Sequence, residues 1–169
     1  MRIFSSLWAC VGGSAAVEMA LVTPLLLTLL FGSFELGNYF LDNHVVTKAV
    51  RDGARFASRS VPLKDSCNDT ISNDSTAVTN AKAEAQNVTI YGQLTVGTPR
   101  LPGWTNGVTV EFSCKTTGTP EGIYSGMSGG APVVVVTAIV PYHSLFSSVG
   151  LSNTSLSISA QSEVPVMGI

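Results

Sequence analysis

From Met19 to Phe34 the chain reads MALVTPLLLTLLFGSF, an apolar run without a single charge. With Ser14 to Val17 before it and the residues after Glu35, it is long enough to cross roughly 30 Å of hydrocarbon as a helix. Pro24 falls inside the run and predicts a kink, which membrane helices tolerate better than soluble ones. Three readings compete. A cleaved secretory signal needs a small-residue cleavage site after its apolar core, and the segment GSFELGNYFLDN after Phe31 has no clear A-x-A site. Leu7-Trp8-Ala9-Cys10 looks like a lipobox, but almost no apolar core precedes Cys10. A retained anchor fits best, because the helical pattern continues past the apolar run.

That continuation reads VVTKAVRDGARFAS from Val45 to Ser58. Ala49, Gly53 and Ala57 recur every four residues and form a narrow stripe of small side chains, bordered by Val46, Val50 and Phe56. Such spacing lets a helix approach a neighbour closely. Lys48, Arg51, Asp52, Arg55 and Arg59 lie elsewhere on the helix. An ordinary amphipathic helix packed on its own domain gives the same pattern, and both readings can hold along different lengths of one helix. One helix from Ser14 to near Ser58 would extend roughly 67 Å at 1.5 Å per residue. A membrane needs far less, so the outer half serves a soluble domain or an assembly.

After Arg59, Pro62 and the polar run KDSCNDTISNDS mark a loop, with Asp74 or Ser75 placed to cap a second helix. From Thr76 to Asn87 that helix carries Ala77, Ala81, Ala85 and Val88 as its apolar stripe, and Gly92 is a plausible stop. Strand signals follow. Val108, Val110, Phe112 and Cys114 alternate with Thr109, Glu111 and Ser113, which predicts a half-buried strand. Val133 to Val140 is a continuous apolar run, expected of a central strand covered on both sides or by a neighbour. Leu156, Ile158 and Ala160 alternate with polar residues as a third strand. The expectation is an antiparallel sheet of three or four strands packed on the outer half of the long helix: an α+β chain.

Composition narrows function. Charged residues are 12% of the chain and the net charge is −2, whereas an ordinary soluble domain carries roughly 25% charge. Nucleic acid is an unfavourable partner, because phosphate neutralisation needs clustered Lys and Arg. His44 and His143 have no spacing partners for a metal site, and no cofactor is implied. The segment SGMSGG from Ser125 to Gly130 lacks the lysine of a phosphate loop and reads as a flexible loop. Asn68, Asn73, Asn87 and Asn153 begin N-x-S/T sequons, which matter only in a eukaryotic secreted protein. Cys67 and Cys114 are the two cysteines beyond the apolar run. In an oxidising compartment they point to one disulfide; two buried free thiols are the alternative.

Glu18 sits inside the apolar block. An acid within a membrane helix costs on the order of 3 kcal/mol and marks a functional site by default; at the headgroup level it is merely solvated. Position alone does not separate the two. The residues before it are Gly12-Gly13-Ser14-Ala15-Ala16-Val17. A glycine five residues before a glutamate, at the start of an apolar helix, resembles the cleavage site of type IV prepilin-like proteins. There a membrane peptidase cuts after the glycine, which here means between Gly13 and Ser14. The new amine and the Glu18 carboxylate of a neighbouring subunit would then offset each other's desolvation and set an axial register.

The resemblance extends over about 45 residues. The G-x-x-A-V-E start, the apolar run with Pro24, Phe31-Gly32 leading to Glu35-Leu36-Gly37, and Ala49-x-x-x-Gly53-Ala54-Arg55 together resemble the TadE-like family of tight-adherence (Flp) pilus assembly proteins. Beyond that stretch the agreement is a strand-rich character and a V-x-V-x-x-x-x-P-Y segment near Val134 to Tyr142. Only Arg2 is charged before Gly13, whereas family leaders are often more basic.

The resemblance implies a pilin-like layout: a prepilin-type leader over 1–13, a long helix over 14–60 with a transmembrane N-terminal half, and an exported α+β domain over 61–169. It implies a minor pilin or pseudopilin, not an enzyme, acting in assembly or initiation of an adhesion pilus. The implied partners are a prepilin peptidase, other pilin or pseudopilin subunits, an inner-membrane assembly platform and membrane lipid. The implied location is the bacterial inner membrane, with the globular domain in the periplasm. Gly13 and Ser14 would serve processing, Glu18 pairing, and Ala49, Gly53 and Ala57 close helix packing. A permanently anchored periplasmic binding module is the alternative, and an anchored hydrolase a weaker one.

Overall fold

The computed structural model of the chain describes residues 13–61, 67, 76–115, 130–147 and 156–167. Most of the expected leader, the expected caps Asp74 and Ser75, the sequons at Asn68, Asn73 and Asn153, and nearly all of the Gly-rich segment after Ser125 lie outside the described residues. The elements run α1 (Ser14–Ser60), α2 (Thr76–Tyr91), β1 (Val108–Lys115), β2 (Ala131–Pro141) and β3 (Ser157–Pro165). The chain forms two compact units, Met1–Asn38 and Tyr39–Ile169.

The first unit contains the apolar part of α1. The helix is continuous through Pro24, and every described side chain from Ala15 to Phe34 is exposed. Leu21, Leu25 and Leu29 are more than half exposed. The few hydroxyls turn back onto their own helix. Thr23 Oγ1 donates to the Met19 carbonyl at 2.6 Å, Thr28 Oγ1 to Pro24 at 2.8 Å, and Ser33 Oγ to Leu30 at 2.8 Å. No hydroxyl in that group needs a partner from the surrounding medium, as an apolar environment demands.

The second unit is built round one core. Val46, Ala49, Val50, Ala54 and Ala57 of α1 share it with Val78, Ala81 and Ala85 of α2 and with the inner faces of the three strands. The helix stops where its last carbonyls find partners. Ser58 Oγ donates to Arg55 O at 2.9 Å, Ser60 Oγ to Ala57 O at 3.1 Å, and the Met167 amide to Ser58 O at 2.9 Å. Pro62 then disfavours helical geometry at Val61. The Met167 bond also ties the end of the chain past β3 to the end of α1.

The sheet is antiparallel with order β1-β2-β3. β1 alternates as its sequence predicts, with Val108, Val110 and Phe112 buried and Thr109, Glu111 and Ser113 exposed. β2 is the central strand, but its all-apolar sequence does not mean two covered faces. Val134, Val136, Ala138 and Val140 point into the core, while Val135 is only half-buried and Ile139 is 56% exposed. Pairing with β1 and β3 along its edges, rather than cover over its outer face, explains the run. Between α2 and β1 the chain turns around Trp104, which is fully buried. Gly107 (φ 84°) closes this turn, because any Cβ there would run into the Ile139 carbonyl, and its own carbonyl accepts from the Ile139 amide at 2.8 Å.

Cys67 and Cys114 form a disulfide with a Cα–Cα distance of 5.8 Å and a separation of 47 residues. It fastens the segment between the helices to the end of β1. In the chain-entropy account a loop of this length is worth roughly 4 kcal/mol. Replacing both cysteines by serine should lower unfolding free energy by about 2–4 kcal/mol, read by urea denaturation of the detergent-solubilised protein. An unchanged midpoint would contradict this role.

Candidate functional site

The sequence places its candidate site residues along α1, and the structure separates them into two groups. Ser14 opens the helix. Glu18 follows four residues later, so it shares a helix face with residue 14 one turn on, and it is exposed. Gly13 stands just before the helix, and a Cβ built there meets nothing within 4 Å. No packing among the described residues therefore requires a glycine at position 13. The same holds at Gly32 and Gly37, where an added Cβ also meets open space.

Gly53 is different. A Cβ there would overlap Thr89 Oγ1 and lie 3.2 Å from the Ala85 carbonyl oxygen. The small-residue stripe is thus matched inside this chain, with α2 seated on α1 at Gly53. Ala49 and Ala57, one turn to either side, are fully buried. The sequence left open whether the stripe serves the chain's own domain or a neighbour; Gly53 is occupied by the domain itself.

The partner face of α2 departs from the sequence expectation. Ala81 and Ala85 are buried as expected, but Ala77 is exposed and Val88 half-buried. The buried face is Val78, Ala81, Ala85 and Thr89, which recur at three- and four-residue steps. Thr89 was absent from the expected stripe because it is polar. Its hydroxyl donates to the Ala85 carbonyl at 2.8 Å, so it is buried without an unmet polar group. A threonine four residues after a buried alanine was the available signal.

Arg100 is a second residue that the sequence did not single out. Its Nη1 donates to Asp52 Oδ2 at 3.1 Å and its Nη2 to the Val88 carbonyl at 3.3 Å. Its amide donates to the Ile90 carbonyl at 2.9 Å. One side chain therefore joins α1 to the C-terminal turn of α2, where the Val88 carbonyl also accepts from the Gly92 amide at 3.0 Å. Asp42, past the uncharged run, has its carboxyl pushed above the ordinary range by burial, with His143 acting in the opposite direction. Tyr39 and Tyr142 meet edge to face nearby in the fold, with ring centroids 5.4 Å apart.

A long helix with an exposed apolar half, carried into a core of a second helix and an antiparallel sheet, is the layout of a pilin-like α+β protein. Residues 13–55 match the family model described as TadE-like protein, so this segment of the chain is similar to TadE-like proteins. The matched stretch holds Gly13, Ser14, Glu18, Ala49 and Gly53; Ala57, α2, the sheet and the disulfide lie beyond it. No curated protein and no solved structure matches the chain.

The contrast between the glycines is testable. In a helix interior, Gly→Ala ordinarily stabilises by about 1 kcal/mol. At Gly37, where space is open, Gly37→Ala should leave stability unchanged or raise it. At Gly53 overpacking costs about 1–3 kcal/mol, so Gly53→Ala should destabilise the second unit, and Thr89→Ala combined with it should restore part of the loss. Thermal melts of the four proteins, including wild type, check this. Equal melting of Gly53→Ala and wild type would contradict the close approach.

Proposed function

We propose that the chain is a minor pilin or pseudopilin of a tight-adherence (Flp, type IVc) pilus. A prepilin peptidase cuts between Gly13 and Ser14. The apolar part of α1 holds the processed chain in the inner membrane, with the second unit in the periplasm. The helix then leaves the lipid to pack among pilin subunits, in the pilus or at its initiation. The work is assembly through helix packing, not catalysis.

The observation that carries this reading is the division of α1. Its TadE-like N-terminal part is long and apolar enough to cross a membrane, with a mean hydropathy of 1.9 over its best window and none of that window buried. Its glycines at 32 and 37 meet no atoms of the described chain, whereas Gly53 farther along is filled by α2. A helix used only as an anchor needs apolar side chains facing lipid. A helix destined for an assembly needs in addition places where other helices come close, and open glycines supply them. Glu18 suits the same purpose: a neighbouring subunit's N-terminal amine would offset its desolvation within an apolar bundle.

Two measurements test the reading. Mass spectrometry of the protein purified from its host should find an N-terminus at Ser14; an intact Met1 start would favour the permanently anchored module instead. Glu18→Ala should accumulate normally in the membrane and be processed, yet piliation counted by electron microscopy should fall at least about tenfold, as expected of a lost buried charge pair worth several kcal/mol. Normal pilus number in that variant would contradict the pairing role.

A further inference from the structure

The outer half of α1 carries a feature that packing of the second unit does not use. Lys48, Arg51, Arg55 and Arg59 are spaced three, four and four residues apart, which places them within about 80° of arc on one helix face. All four are exposed. They are four of the nine Lys and Arg residues in the chain, and among the described residues none of the four side chains has an ion-pair or hydrogen-bond partner. Beside them lies an open groove of about 470 Å³ lined by Asp52, Arg55, Phe56, Arg59 and Ser60. Asp52, its one carboxylate, is already engaged by Arg100 at 3.1 Å. The groove therefore offers a half-buried aromatic ring between two guanidinium groups.

A cationic row is not itself stabilising: like charges at one-turn spacing repel by a few tenths of a kcal/mol per pair. The opposite face of this helix is buried, so the row is left facing outward. Guanidinium groups match carboxylates with two parallel hydrogen bonds. Carboxylates spaced three and four residues apart on a partner helix reproduce the spacing of the row. The concave groove over Phe56 accommodates one apolar side chain from the same partner, which a flat lipid surface would not supply. A second copy of this chain is a poor occupant, because no helix among its described residues carries acids three or four residues apart: α1 has Glu18, Glu35, Asp42 and Asp52, α2 has only Glu84, and Glu111 and Glu163 lie on strands either side of Val135. We propose that the Lys48–Arg59 face with the Phe56 groove docks an acidic helix of a different protein. That this protein is a pilus component rests on the function proposed above; the docking chemistry does not.

The test uses the full chain in zwitterionic nanodiscs and two synthetic fluorescent helical peptides. One carries Glu at three- and four-residue spacing with a Leu beside the row, and the other has Gln at the same positions. Anisotropy titration should show the Glu peptide binding at least about tenfold more tightly than the Gln peptide, with the difference shrinking as ionic strength rises past about 0.3 M. Arg55→Gln with Arg59→Gln should weaken binding about tenfold while the thermal melt stays that of wild type, and Phe56→Ala should weaken both peptides. Equal binding of the two peptides, or full binding by the Arg variant, would overturn the proposal. So would a stripe-dependent preference for a single-stranded oligonucleotide or for phosphatidylglycerol nanodiscs over the Glu peptide. Those results would leave an N-terminus at Ser14, and hence the pilin reading, untouched.

Discussion

At Gly53 the backbone of α1 comes so close to α2 that no side chain fits between them, and the second unit is organised around that approach. A Cβ at this position would meet Thr89 Oγ1 and the Ala85 carbonyl oxygen. The close approach lets Ala49 and Ala57 seal the interface on either side. It brings Val46 and Val50 into the same core as Val110, Val136 and Ile158. Arg100 and the Cys67–Cys114 disulfide then hold the periphery, one joining Asp52 to the end of α2 and the other fastening a loop to β1. The Arg100 link depends on α2 lying where Gly53 admits it.

The apolar part of α1 obeys the opposite rule. Its leucines have no cover among the described residues. Burying a leucine is worth roughly 1.5–3 kcal/mol, so a run of exposed ones is sustained only where lipid or other helices replace water. Its hydroxyls are satisfied locally, and its glycines face open space. One continuous helix thus carries two kinds of surface: a half matched by its own domain, and a half left uncovered among the described residues.

Much of this was legible in the residues. The uncharged run from Met19 to Phe34 and the alternation in β1 and β3 dictate their elements almost unaided, because period and length leave few alternatives. The disulfide followed from there being only two cysteines beyond the apolar run. The face of α2 was harder. Hydrophobicity ranks Ala77 and Val88 above Thr89, yet a hydroxyl that bonds one turn back is cheaper to bury than its polarity implies. On the outer face of β2 the second of the two expected covers holds: neighbouring strands, rather than a covering layer, shelter Val135. Arg100 could not have been found from pattern, because its partners Asp52 and Val88 become neighbours only once α2 is seated. The use of the small-residue stripe was open until the geometry of Gly53 assigned that position to the chain's own fold.

In the function proposed above, α1 divides its surface between its own domain and other subunits. Photo-cross-linking in the native host tests it directly, with a probe residue placed in turn at Leu21, Leu25 and Phe31 and at Val46 and Val50. The first three positions should yield adducts with pilin subunits identified by mass spectrometry, and the last two should yield none between chains. Adducts with lipid alone at all three N-terminal positions, in cells that are assembling pili, would rule out such a division.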